Sequence, residues 1–217
     1  MKNDSIKVNI LSTKIISNVN DEMLKHFNIK NNYKSLGLIT CDCDDVLYTA
    51  LDEATKDAQV EVVYAKSMYA GAGNASTKLA GEVLGIIAGP SPAEVKSGIA
   101  SINNFIKTGV SFKSANADDS IVYYAQCVSR TGTYLSKQAN IKEGESLAYL
   151  IAPPLEAMYG LDAALKSADV KLCQLFEPPT ETNFGGALLT GSQSACKAAC
   201  DAFAEAVQQV AENPFYI

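Results

Sequence analysis

Short runs of apolar, β-branched and aromatic residues alternate along this chain with longer stretches whose apolar positions recur every three to four residues. The first regime predicts strands over 10–16, 36–40, 60–65 and 83–88, and again over 121–128, 147–151, 170–176 and 187–190. The second predicts amphipathic helices. One covers 46–58, capped by Asp44 or Asp45, with Leu47, Ala50, Leu51, Ala54 and Ala58 on one face. Its counterpart starts after Pro153-Pro154 and carries Leu155, Met158, Leu161, Leu165 and Ala168 as its apolar stripe. Ser91-Pro92-Ala93-Glu94 has the spacing of a capping box and opens a helix with Val95, Ile99, Ile102 and Ile106 facing the core. The last helix presents Cys196, Cys200, Phe203, Val207 and Val210. Shorter helical segments fall at 21–27 and 131–138.

The same order of elements is thus written twice. Shifted by about 110 positions, the chain meets itself. Ser17 falls on Ser129, Lys25 on Lys137, Asn28-Ile29-Lys30 on Asn140-Ile141-Lys142, and Ser35-Leu36 on Ser146-Leu147. Further on, Asp52, Ala54, Lys56, Ala58 and Val60 fall on Asp162, Ala164, Lys166, Ala168 and Val170. The N-I-K and S-L matches lie outside the main helices, so shared helix composition does not produce them. We read two copies, 1–108 and 109–217, joined through a polar linker at 108–120. The fold class is α/β, as an α+β sandwich. A doubled domain that trimerises makes a ring of six similar units.

Composition narrows the function. The chain has 217 residues, 47% of them hydrophobic and 19% charged, which suits packed domains rather than disorder. Its formal charge of −6 and the lack of a Lys/Arg cluster argue against a nucleic-acid partner. No apolar run is long enough for a membrane span, and the first residues lack a secretory h-region, so the expected location is the cytoplasm. The six cysteines, Cys41, Cys43, Cys127, Cys173, Cys196 and Cys200, form no C-x-x-C pair and read as reduced thiols. No metal site is expected.

Catalytic sets built on histidine have one candidate, His26, in a short polar helix, and no catalytic residue is assigned. Residues 71–78, from Gly71 to Lys78, suggest a phosphate cradle, and a small-molecule (nucleotide or corrinoid) binding protein or enzyme using this segment is the alternative function. The segment matches neither G-x-x-x-x-G-K-[ST] nor G-x-G-x-x-G. The acidic cluster Asp42, Asp44, Asp45 marks a strand-to-helix junction. One Asp there suffices as a cap; a pair facing a channel could hold an ammonium by charge-assisted hydrogen bonds. The second copy has Pro153-Pro154 at that place, so the acidity belongs to one copy.

Residues 35–74, 89–98, 127–136, 148–170 and 178–203 resemble the ethanolamine-utilisation microcompartment shell proteins of the L type over essentially the whole chain. The resemblance implies two circularly permuted bacterial-microcompartment domains. It also implies a homotrimer forming a pseudohexagonal tile among other shell proteins, and no enzymatic activity. A central pore gated by the loops at 69–81 and 177–186, and an acidic channel that binds ethanolamine, are implied as well. Carried over residue by residue, the binding positions are Asp44, Asp45, Glu82, Phe112, Thr182, Asn183 and Phe184. Cobalamin binding at an interface is implied without residues. No cofactor is otherwise expected, and the D-x-H-x-x-G corrinoid motif does not occur in the chain.

Overall fold

A computed structural model of the chain describes residues 1–30, 32–67, 83–178, 180 and 182–215. Nine strands and six helices occur among the described residues. In chain order these are β1 (Ile10–Ile16), α1 (Asp21–His26), β2 (Ser35–Cys41), α2 (Asp44–Asp57), β3 (Glu61–Ser67), β4 (Val83–Gly89) and α3 (Pro92–Lys107). The second series is β5 (Lys113–Ser114), β6 (Val122–Val128), α4 (Thr133–Ala139), β7 (Ser146–Ala152), α5 (Pro154–Ser167), β8 (Val170–Phe176), β9 (Gly185–Gly191) and α6 (Gln193–Glu212). The fold is α/β in composition, with antiparallel sheets.

One sheet has the order β1-β2-β4-β3, and the other β5-β6-β7-β9-β8, so the duplicated strands pair identically. The duplication extends to irregularities. The β3–β4 ladder shifts register between Val62 and Tyr64, and the β8–β9 ladder shifts between Leu172 and Gln174. Each shift is an extra residue that sharpens the local twist.

The sequence anchors of the repeat now have physical roles. Asn28 and Asn140 both adopt left-handed backbone, with φ of 51° and 52°. Asn tolerates this region at the end of a helix better than most residues. Behind them Ile29 donates its N–H to Leu24 O, and Ile141 donates to Ser136 O. The Ser35 hydroxyl donates to Ser17 O at 2.9 Å, and Ser146 to Ser129 O at 2.7 Å. The Ser35 and Ser146 hydroxyls tie together the two ends of the connection between each copy's first paired strands, β1–β2 and β6–β7.

Residues group into two compact units. The first holds Val8–Val110 and Gly132–Leu135. The second holds Met1–Lys7, Ser111–Thr131 and Ser136–Ile217. The first unit's core gathers Ile39, Leu47, Leu51, Ile87, Val95 and Ile102 between its sheet and helices. The second unit's core is built from Leu150, Ala157, Leu161, Ala199, Phe203 and Val207 and is richer in alanine.

Four expectations are corrected. Neither Asp44 nor Asp45 caps α2, because the N-cap is Cys43 and both carboxylates lie in the first helical turn. The Ser91 hydroxyl accepts the Glu94 N–H, but the Glu94 carboxylate accepts the Gln59 N–H instead of closing a capping box. The stripe read on α5 reaches the core only through Leu161. Leu155 is 62% exposed, Met158 38% and Leu165 37%, while Ala157, Gly160, Leu161 and Ala164 are buried. The small face is the one that packs. A Cβ on Gly160 would stand 2.8 Å from the Phe203 ring, so glycine allows α5 and α6 their close approach. Lastly, the stretch at 108–120, expected to be linker, contains β5, which pairs with β6.

Candidate functional site

The first turn of α2 carries two adjacent carboxylates, where the free N–H groups and positive end of a helix favour negative charge. Asp44 is 8% exposed and Asp45 7%. Asp44 Oδ1 accepts the Asp45 N–H at 2.9 Å, and its Oδ2 accepts the Ser67 hydroxyl at 2.5 Å. The Ser67 oxygen lies 2.7 Å from the Tyr48 hydroxyl, which therefore donates to it. A relay from Tyr48 through Ser67 fixes one oxygen of Asp44. Burial pushes the Cys43 thiol and the Tyr48 phenol well above their usual values, and the charges of Asp44 and Asp45 add to the shift. Both groups stay neutral and serve as packing and hydrogen-bonding groups. Asp42 does something different: its two oxygens accept the main-chain and side-chain N–H groups of Asn9, each at 2.7 Å. It is a structural clasp between β1 and β2.

The second unit gathers aromatic rings. Phe112 stacks on Tyr124 with centroids 5.3 Å apart and meets Phe184 edge-on at 6.0 Å. Tyr124 continues to Tyr149 at 5.6 Å, and Tyr149 to Phe176 at 6.4 Å. Thr182 and Asn183 occupy the turn just before Phe184. Asn183 has a φ of 61°, and the Thr180 hydroxyl donates to Phe184 O at 2.7 Å. Beside Phe112, Ser111 Oγ is buried and has no hydrogen-bond partner among the described residues.

Of the residues assigned from sequence, Asp44 stands beside Asp45, Phe112 stands against Phe184, and Thr182 and Asn183 share one turn. Glu82 and the segment 71–78 lie outside the described residues. Sequence reasoning missed Ser67, Tyr48, Tyr124 and Ser111. Their side-chain types carry no pattern, and only strand pairing reveals that Ser67 reaches α2.

Two buried carboxylates with a fixed hydroxyl donor suit a small cation. Among the described residues no group of three or more His, Cys, Asp or Glu could hold a metal ion. His26 is exposed on α1, with its ring 5.1 Å from that of Phe27. A corrinoid pocket with an axial imidazole does not fit those surroundings. All six cysteines are free thiols, and burial pushes Cys196 up to about 11.

A duplicated antiparallel α/β domain is an architecture that known proteins share. Residues 35–115 match the BMC domain family. The chain is 75% identical over 214 residues to the bacterial microcompartment shell protein EutL of Clostridium perfringens, covering 99% of both chains. It is 50% identical to the EutL of Salmonella typhimurium, over 97% of this chain and 96% of that protein. The crystal structure of the ethanolamine utilization protein EutL from Leptotrichia buccalis superposes with a TM-score of 0.98 at 65% identity and covers all of both chains. The chain belongs to the EutL family of microcompartment shell proteins. It is a structural shell component and not an enzyme.

Proposed function

We propose that three copies of this chain close into a shell tile with a gated central pore, and that the tile binds ethanolamine. The observation that carries the assembly is a difference between the two copies of the repeat. In the first unit, the face of α2 formed by Tyr48, Asp52 and Thr55 is covered by Gly132–Leu135. Asp52 accepts the N–H groups of Gly132 and Leu135 at 2.7 and 2.8 Å, Thr55 accepts that of Thr133 at 3.0 Å, and the Tyr48 and Tyr134 rings meet at 6.3 Å. The corresponding face of α5 is Met158, Asp162 and Leu165, flanked by Leu155 and Tyr159, and it is exposed. The segment corresponding to 132–135 is 20–23, and its Met23, the counterpart of buried Leu135, is 37% exposed. Two matching surfaces, each uncovered, are completed when residues 20–23 of one copy dock on α5 of the next. Such a head-to-tail contact closes into a ring, and six similar units require three chains. Sedimentation tests this: Leu155→Asp with Leu165→Asp is expected to give monomers of native helix content, and a persistent trimer refutes the docking.

For the ligand, the proposal assigns Asp44, Asp45 and Glu82 to the ammonium, Phe112 or Phe184 to a cation–π contact of about 0.5–2 kcal/mol, and Thr182 or Asn183 to the hydroxyl. The burial of both α2 carboxylates beside a fixed hydroxyl supports it, as does membership of a family with a relative named an ethanolamine utilization protein. Occupancy is proposed to favour the closed pore through the loops at 69–81 and 177–186. Titration calorimetry with ethanolamine on the assembled protein is the test; no heat at millimolar ligand removes the assignment.

A further inference from the structure

The first seven residues belong to the second unit, a hundred residues away in sequence. They bury almost nothing: all but Ile6 are exposed. Hydrophobic burial therefore does not hold them there. Main-chain bonds do. Asn3 donates its N–H to Ser114 O at 2.8 Å, Ser114 donates to Asp4 O at 2.9 Å, and Ile6 donates to Phe112 O at 2.9 Å. Ser5 bridges Lys113 in antiparallel register, and the Lys113 ammonium donates to Ser5 Oγ at 2.6 Å.

Asn3 latches this strap. It sits in left-handed backbone, with a φ of 70°, which Asn tolerates and most residues do not. That turn aims its Oδ1 at two donors, the Tyr123 hydroxyl at 3.0 Å and Gln208 Nε2 at 2.7 Å. Gln208 also donates to the Tyr123 oxygen at 2.8 Å, which closes a three-membered ring of hydrogen bonds. Tyr123 is 4% exposed and Gln208 lies on α6, so the latch is anchored in the second unit's core.

The strap's bonds converge on 112–114. This segment carries the Phe112 ring and follows Ser111, whose buried hydroxyl has no partner among the described residues. Tyr124 fixes the ring from its face; the strap fixes the backbone from the other edge.

We infer that residues 1–6 are a positioning strap: latched by Asn3, they hold Phe112 in place for the ligand. This rests on the ethanolamine reading above, and the test separates the two. The chain has no tryptophan, so Phe112→Trp places a single indole fluorophore at the position in question. In that background Asn3→Ala, and deletion of residues 2–5, are expected to raise acrylamide quenching of the indole about twofold. Asn3→Asp keeps the acceptor and is expected to leave quenching at the level of Phe112→Trp alone. In the otherwise native chain the Asn3→Ala and deletion variants are expected to weaken ethanolamine binding about tenfold while the thermal midpoint moves little. Equal quenching with and without Asn3→Ala or the deletion overturns the strap, as does unchanged affinity in a protein that binds ethanolamine. A quenching response in a protein that binds no ethanolamine keeps the strap and removes the ligand reading.

Discussion

Asp52 Oδ2 accepts the N–H of Gly132 at 2.7 Å, and the same carboxylate takes the Leu135 N–H through its other oxygen at 2.8 Å. A side chain of α2 thus caps the opening turn of α4, which lacks the capping Asn that α1 has at Asn20. Both oxygens are needed because the donors are separate. Asp52→Asn supplies one acceptor and turns an NH2 toward the second donor. It is expected to cost about 1–3 kcal/mol, read as a fall in the thermal midpoint. Gly132→Ala is expected to be as damaging, since its Cβ would run into Thr55 Oγ1 and stand 2.6 Å from Asp52 O.

The pH dependence of that cap has a definite sign. Burial pushes the Asp52 carboxyl up, against the pull of the Gly132 and Leu135 N–H groups and of Lys56 at 3.9 Å. A raised folded value means that the native state holds the proton more tightly than the unfolded chain. The group's contribution is full below the unfolded value of about 4 and declines as pH rises through the folded value. The stability advantage of the parent over Asp52→Ala is therefore expected to shrink from about pH 4 upward, measured by thermal melts. An advantage that grows over that range would mean that the N–H donors and Lys56 outweigh burial.

The left-handed asparagines of the repeat predict a matched pair of effects. Asn28→Ala and Asn140→Ala each force an alanine to φ near 50°, at about 1–2 kcal/mol. Asn28→Gly and Asn140→Gly are expected to be nearly neutral. Denaturant midpoints for the four variants check this, and unequal losses at the two positions would show that the copies have diverged in how firmly they fix this turn.

The double set of elements was legible because strand and helix periods are local properties. So were the Asn28/Asn140 and Ser35/Ser146 anchors, since the same left-handed turn and the same hydroxyl bond impose the same residue in each copy. Periodicity misled on α5. The stripe of Leu155, Met158, Leu161, Leu165 and Ala168 has the spacing of a core face, yet only Leu161 is buried, and spacing alone does not distinguish a core position from an exposed one. The alanine and glycine face that does pack has little hydrophobic signal. The placement of Met1–Lys7 with the second unit and of Gly132–Leu135 with the first was not legible, because it depends on single backbone bonds between distant residues. Asp44 and Asp45 were found from their type and neighbourhood, whereas the Ser67–Tyr48 relay required the register of β3.

That relay yields a prediction of its own. Asp44 is held by the Ser67 hydroxyl, so Ser67→Ala frees one carboxylate oxygen without removing charge. Asp45→Ala removes a charge from the pair. Under the ethanolamine assignment, Asp45→Ala is expected to weaken binding by at least about tenfold, and Ser67→Ala by less. Calorimetric isotherms compare them, and unchanged affinity in Asp45→Ala excludes that carboxylate from the site.

Ser111 provides the sharpest contrast between stability and binding. A buried hydroxyl without a partner carries the cost of desolvation with no bond to offset it. Ser111→Ala is therefore expected to leave the ligand-free protein as stable as the parent, or to raise its stability by up to about 1 kcal/mol. If the hydroxyl meets a ligand beside Phe112, the same variant loses affinity. Ser111→Thr keeps the hydroxyl but adds a methyl group and would separate hydrogen bonding from space. Thermal melts with and without ethanolamine give both quantities at once: the expected result is an equal or higher midpoint for Ser111→Ala alone and a smaller upward shift on adding ligand. A clear loss of midpoint in the ligand-free variant would mean that the hydroxyl already has a partner, and Ser111 would then be part of the scaffold.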